Sequence, residues 1–462
     1  MKTSKLITAL MTLNKEEWFL FRKYLLYETS EESEIFGLFT FYQSRKGRLE
    51  KLDDTDEIRQ KHFSDYASKI FLNLNSKLYN LFEDWLAYYQ FKSEPHQSQL
   101  SLLKALNKRG LYKHADQVAK SIGKRIEKNQ LLSMDDIKAS NAVNHLQYFS
   151  NNPIKYNSGT ALLEGTIDNH LAFINIQSSL YLTELINFSK VQNQDYSQLI
   201  SQLKSHLNDS TSPLEKKSLQ LPKLFVDPNE KLFIKLKDFL FENKLQYPSE
   251  FHTLFTLYLL SISLKLWSKN LISSPNPILE LYDYIFEKDV ISENGKIPVI
   301  RFHNIIGSLS TFKNDEWLKG FISNWINKVD TSQKLATKCL AEAQVSFSME
   351  NYDQILNLLS GLEYDTIDQK VRARSLELIA FYKDEDKKHD LFFNSAHNFK
   401  RLLKRHKNHI SEKLYKANNN LILLLEKIIK SDYKNLDINL SHYDYLIHRS
   451  WCIGQVKLKK SK

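Results

Sequence analysis

The residues whose type and spacing first suggest chemistry are the histidines, 14 in a chain of 462 residues. His406 and His409 stand at i,i+3 on one side of a helix, with His389 and His397 upstream. Two imidazoles at that spacing can share a metal ion. A zinc site needs three or four ligands, however, and no carboxylate or cysteine accompanies the pair at a suitable distance. The pair reads as surface histidines in a basic stretch, and neither a metal nor a cofactor is expected. Cys339 sits beside Leu340 on an inward helical face, and Cys452 follows Trp451 in the terminal helix. Both read as small core residues, and neither has the histidine and amide partners of a nucleophile. Two cysteines are too few for a disulfide framework and suit a reducing compartment.

Catalytic signatures are lacking: no P-loop, no GxGxxG, no GxSxG elbow and no HExxH occurs. The chain is therefore expected not to be an enzyme. One charged feature rises above background. Lys400, Arg401, Lys404, Arg405 and Lys407 follow one stripe of a helix whose other face holds Phe399, Leu402 and Leu403. The tail adds Lys457, Lys459, Lys460 and Lys462. Such a stripe is a candidate anion or nucleic-acid site, and helical repeats approach RNA with a concave basic face. The plainer reading is a solvated helix face, because no base-stacking aromatics interleave with the cations. The 27 Phe, 23 Tyr and 6 Trp fall mostly on periodic apolar faces, which makes them core.

The elements that carry these residues are helices. Hydrophobic residues make up 42% of the chain, while Gly (11) and Pro (9) are scarce, a balance that suits long helices with few tight turns. The formal charge of +10 permits anionic partners without requiring them. Lys2 and Lys5 ahead of an apolar run imitate a secretory leader. The run is broken by threonines and lacks a small-x-small cleavage site, so Leu6, Leu10 and Leu13 read as a helix face. The most apolar stretch, Leu254 to Leu264, is too short to span a bilayer. A cytoplasmic protein is expected.

A long helix from Ser64 to Lys92 forms the spine of an N-terminal module. Phe71, Leu74, Leu78, Leu81, Trp85 and Tyr88 line its seam, and Ile70, Phe82 and Tyr89 widen it. Asn14 and Glu17 form a capping box before Trp18, Phe21 and Leu25. The charged stretch from Arg45 to Glu57 reads as a solvated loop. Beyond Pro95, Gly110, Tyr112, Ala115 and Ala119 meet the offsets of a tetratricopeptide hairpin. Turns near Lys313, Glu350 and Asp384 recur at about 35 to 37 residues, close to that repeat's length. Each turn is flanked by two apolar sets: Ile300, Ile305 and Leu309 lead into Trp317, Phe321 and Trp325; Leu340, Ala343 and Phe347 into Tyr352, Ile355, Leu359 and Leu362; and Leu376, Ile379 and Ala380 into Leu391, Phe399 and Leu402.

With these landmarks the chain resembles an uncharacterised bacterial family of tetratricopeptide-like helical-repeat proteins. The resemblance is carried by Leu13-Asn14-Lys15-Glu16-Glu17-Trp18, Leu81-Phe82-Glu83-Asp84-Trp85-Leu86, Glu293-Asn294-Gly295-Lys296, Tyr352-Asp353-Gln354-Ile355-Leu356-Asn357-Leu358-Leu359 and Phe399-Lys400-Arg401-Leu402-Leu403. It implies a superhelix of hairpins with no assigned activity, and it carries over no functional residues. The turn glycine of well-studied repeats is replaced here by Lys313, Glu350 and an acidic residue near Asp384.

The expected fold is all-α: a tetratricopeptide-like α-solenoid of helical hairpins behind an N-terminal helical module. The expected divisions are 1–93, the module; 94–207, helical hairpins; 208–229, a Pro-containing loop or linker; 230–297, a helical region; 298–408, divergent repeats; and 409–462, capping helices and a basic tail. The expected role is a non-catalytic scaffold or adaptor for a protein or peptide partner. The alternative is RNA binding through the C-terminal basic stripe.

Overall fold

The computed structural model describes residues 4–52, 55–129, 133–150, 160–192, 195–207, 212–242, 249–292, 295–329, 334–430, 443 and 445–460. Among them are twenty-two α-helices, four short 3-10 turns and no strand. The chain forms two compact units, Met1–Tyr282 and Asp283–Lys462.

The first unit opens with α1 (Lys5–Met11), α2 (Lys15–Glu28), α3 (Glu34–Ser44), α4 (Thr55–His62) and α5 (Ser68–Ser93), which share one core. Asn14 caps α2 as its spacing predicts: its side chain accepts from the Glu16 and Glu17 amides, and Glu17 accepts from the Asn14 amide at 2.9 Å. Phe21 sits at the centre of the core. It makes edge contacts with Phe39 and Phe82 at 5.4 and 5.5 Å and lies 5.1 Å from Trp85.

Two expectations about this module need correction. The spine begins at Ser68 after Ala67, not at Ser64. Phe71, Leu74, Leu78, Phe82 and Trp85 are buried, whereas Ile70 and Tyr88 are exposed. The stretch 45–57 is not a loop throughout. A 3-10 turn, Lys46–Lys51, brings Leu49 into the core, and α4 follows with Ile58 buried. One leucine and one isoleucine suffice to pin an otherwise charged segment, and composition conceals them.

Next come α6 (Gln97–Lys108), α7 (Tyr112–Lys128) and α8 (Met134–Phe149), packed through Leu103, Ala115, Ala119, Ile122, Ala139 and Val143. Gly110 takes the turn between α6 and α7 with φ +71°, a conformation glycine adopts without strain. The 32-residue α9 (Ala161–Gln192) packs on α8 and on α11 (Pro213–Val226), with α10 (Ser197–Ser205) between them in sequence.

The expected linker 208–229 is helical over most of its described part. Pro213 occupies the first turn of α11, where no intrahelical amide bond is lost. Pro222 lies inside the helix, and burial of Leu221, Leu224 and Phe225 around it outweighs the one missing backbone bond. Residues 208–211 lie outside the described residues. The unit ends with α12 (Glu230–Phe241), α13 (Glu250–Ser268) and α14 (Asn276–Glu287), in which the unit boundary falls. Lys237, buried on α12, pairs with Glu280 and lies 4.6 Å from the Phe241 ring.

The second unit contains α15 (Val299–Leu309), α16 (Asp315–Trp325), α17 (Lys334–Ser348), α18 (Tyr352–Leu359), α19 (Ile367–Lys383), α20 (Glu385–Arg405), α21 (Glu412–Lys430) and α22 (Arg449–Lys460). Its first two expected turns are built alike. Lys313 and Glu350 adopt φ +52° and +60°, and each is followed by an asparagine that caps the next helix. Non-glycine residues thus hold the left-handed position the repeat pattern assigns to glycine. The turn at Asp384 differs, with φ −112° and α20 starting at once. Inward positions also shift. Ile300 and Leu391 are exposed, and their neighbours Phe302 and Phe392 are buried instead. These are errors of helix phase, of two residues and about 200° around the axis in the first case, and of one residue and about 100° in the second. Cys452 is buried as expected, whereas Cys339 is only half-buried.

Candidate functional site

In the basic stripe, α20 carries four of the five cations, and the structure treats them unequally. Lys400 donates to both carboxylate oxygens of Glu426 on α21, at 2.8 and 2.7 Å. Its charge is therefore committed within the fold. Arg401, Lys404 and Arg405 are exposed. Lys407 lies past the end of α20, in a 3-10 turn, with its ammonium 5.6 Å from the Tyr415 ring. Three side chains of the five remain presented together. His406 and His409 lie ring to ring at 6.0 Å, and no group of three or more metal-ligating side chains forms among the described residues. Lys462 and the resemblance residues Glu293 and Asn294 lie outside the described residues.

Beside the stripe a cavity of about 710 Å³ opens in the same unit. The segment after α18, from Ser360 to Asp365, forms one wall; Lys370, Ala373, Arg374 and Glu377 of α19 form the other, and Leu402 of α20 closes it. Gly361 turns this segment with φ +71°. Leu402 stands one turn before Arg405 on α20, between the stripe and the buried Phe399 and Leu403. Arg374 donates to Glu377 at 2.5 Å across the α19 wall.

Tyr364 is the unusual group in the cavity wall. Its hydroxyl is shielded from solvent and has no hydrogen-bond partner among the described residues. Burial, with Cys339 and Glu377 adding to it, pushes its pKa up to about 12, so it remains a donor at all ordinary pH. A buried hydroxyl without a partner is costly and is satisfied when an acceptor arrives. The lining offers cations and carboxylates together, with the Tyr364 hydroxyl buried behind it.

Sequence reasoning missed a second convergence of titratable groups. Arg372 on α19 donates to Asp368 at 2.7 Å and to Asn304 of α15 at 2.7 Å. Around it stand His303, buried on α15, and His448, whose ring lies 4.6 Å from Phe347. Burial, reinforced by the Arg372 charge, depresses His303 to about 3 and His448 to about 4. Imidazoles so weakly basic are poorly matched to proton transfer near neutrality. His303 and Arg372 are 69 positions apart, and no local spacing signals their meeting.

The first unit has a third polar cluster. His96 Nε2 lies 2.8 Å from Asp136, whose other oxygen accepts from Asn129 at 2.8 Å. His96 and Asp136 are buried, and no cavity reaches them among those described above. A separate apolar groove of about 670 Å³ runs between α8 and α9, past His145, Phe149, Ile167 and Leu171.

Among the described residues no helix is long and apolar enough to cross a membrane. No protein-family model, curated protein or solved structure matches the chain.

Proposed function

We propose that the chain is a non-catalytic scaffold whose second unit stacks tetratricopeptide-like hairpins and holds a segment of a protein partner in the Ser360–Glu377 cavity. Support for stacking comes from the two matched turns. Lys313 and Glu350, separated by one repeat length, bring their charged ends to 4.0 Å at one edge of the unit. Equivalent turns in register are what successive hairpins of a repeat array produce. The likeness to the helical-repeat family noted above belongs to this proposal.

The observation that carries the binding role is the composition of the cavity. Lys370 and Arg374 offer donors, Glu363 and Asp365 offer acceptors, and Leu359 and Leu402 supply apolar wall. A peptide backbone brings both donors and acceptors, together with apolar side chains, and matches that mixture. A phosphate chain does not, since three carboxylates line the same walls. With Lys400 neutralised by Glu426 and Lys407 set over the Tyr415 ring, the RNA reading retains only Arg401, Lys404 and Arg405, and it takes second place.

A displayed random-peptide library tests this, selected on the full chain and on Ser360→Trp, which fills the cavity mouth at an exposed position. Enrichment on the wild type and its loss on the variant is the expected result. Equal enrichment on both, or none on either, would remove the cavity from the account.

A further inference from the structure

The α6–α7 hairpin of the first unit holds most of the chain's net charge. Between Gln97 and Asn129 stand eight lysines and arginines and only two acids, a net of +6 against +10 for the whole chain. All eight cations are exposed, and none is ion-paired among the described residues. Other helices pair their exposed lysines one turn away, as Lys61 with Glu57, Lys319 with Asp315 and Lys416 with Glu412.

On α7 the cations form a row. Lys113, Gln117, Lys120, Lys124 and Lys128 fall within about 80° around the axis, along roughly 22 Å of helix. Ala115, Ala119 and Ile122 are buried on the opposite side. His114, Ser121 and Arg125, all exposed, flank the row on one edge, and Asp116 and Glu127 stand on the other. Part of this charge has a structural use. Lys108, Arg125 and Lys128 stand in last helical turns, where the helix dipole favours a cation, and Arg109 donates to the Ala105 carbonyl at 3.1 Å. Lys113, Lys120 and Lys124 have no such use. Lys120, Lys124 and Lys128 follow one another at i,i+4, where like charges repel.

We infer that this face of α7 is a docking surface for the phosphate backbone of a nucleic-acid duplex. Each residue of the row and its flank at His114, Ser121 and Arg125 can donate a hydrogen bond, and lysine, arginine, glutamine and serine are all phosphate-contacting types. A duplex strand presents an unbroken line of phosphates for such a row to follow. The face carries no aromatic residue on which the bases of a single strand would stack. It has no apolar residue to hold the side chains of an acidic peptide. A membrane-surface helix needs an open apolar face, and that of α7 is packed into the core with α6 and α8. Contacts confined to phosphates make the binding independent of base sequence. The surface belongs to the first unit and adds a second ligand to the scaffold reading without depending on the cavity.

Fluorescence anisotropy of the full chain with labelled duplexes of about 24 base pairs, one of DNA and one of RNA, tests the surface. Four engaged lysines predict a slope of about −3.6 in log affinity against log salt, an affinity loss of about 150-fold between 50 and 200 mM. The duplex bound more tightly identifies the source of the phosphates. Lys113→Gln, Lys120→Gln, Lys124→Gln and Lys128→Gln combined should weaken binding at 50 mM salt by more than about tenfold and flatten the slope, with unchanged helical circular dichroism. Arg401→Gln, Lys404→Gln and Arg405→Gln combined should leave both quantities unchanged. No binding to either duplex at 50 mM salt overturns the inference, as does a wild-type slope shallower than about −2. So does loss of binding in the Arg401 set but not in the Lys113 set. Sedimentation with phosphatidylserine vesicles by a chain that binds neither duplex would assign the row to a membrane instead.

Discussion

Lys313 and Glu350 occupy the same position in successive turns of the second unit, both with positive φ, and their charged groups meet at 4.0 Å. Both side chains are exposed, so the ion pair itself adds little. The backbone is what matters. A left-handed non-glycine residue costs roughly 1 kcal/mol, and glycine removes that cost without touching the packed helices.

Lys313→Gly and Glu350→Gly should each raise the stability of the second unit by about 0.5–1 kcal/mol. Urea denaturation of each variant checks this. A loss of stability of similar size would show that the side chains contribute more than the backbone strain removes.

Acid should weaken the second unit through its histidines. Burial holds His303 and His448 neutral, so between their folded values of about 3 and 4 and the unfolded value of 6.5 the unfolded chain binds protons that the folded chain does not. Their contribution is complete above about pH 6.5 and is lost as pH falls, at ~1.4 kcal/mol per pH unit for each histidine. His303→Leu should reduce that slope between pH 6 and 4.5. Urea midpoints measured across the range read it directly, and an unaltered slope would place the acid sensitivity elsewhere.

In the first unit, Asp136→Ala should cost about 1–3 kcal/mol, because it leaves His96 and Asn129 without their shared acceptor in a buried setting. Trp85→Ala should cost more, ~3–5 kcal/mol, since the ring is 2% exposed and packs on Phe21 and Phe82. Denaturant titration monitored by the remaining tryptophans ranks the two, and the reverse order would contradict the core assignment.

RNA binding, if it occurs at the stripe, should be weak and strongly salt-dependent. Three presented cations correspond to a slope of about −2 in log affinity against log salt for a single strand. A shift assay from 20 to 200 mM salt measures it. A slope of about −3.5, that of five cations, would mean that Lys400 leaves Glu426 and that the stripe functions as a whole.

Features set by neighbours in sequence were legible before the fold was known. The Asn14–Glu17 box, the apolar face of the spine and the Gly110 hairpin with Ala115 and Ala119 all depend on spacings of four residues or fewer. Helix phase was less legible: Phe302 and Phe392 are buried instead of the expected Ile300 and Leu391, because apolar residues one or two positions apart leave the phase ambiguous. The expected linker failed for a different reason. Prolines argue against a helix only when no burial compensates, and Leu221 and Leu224 cannot be recognised as buried without their partners.

The candidate sites were the least legible part. Lys400 meets Glu426 across 26 positions and His96 meets Asp136 across 40. Such pairs leave no periodic trace, and they decide which charges remain for a partner. The cavity is likewise assembled from three separate segments, of which Leu359 and Leu402 were singled out in sequence, but only as apolar positions.

Hydrogen exchange on the full chain, with and without a peptide selected on it, tests the scaffold reading most directly. Bound peptide should slow exchange in Ser360–Asp365 and along Lys370–Glu377, and leave α5 and α9 unchanged. Protection confined to other helices, or none at saturating peptide, would contradict the account.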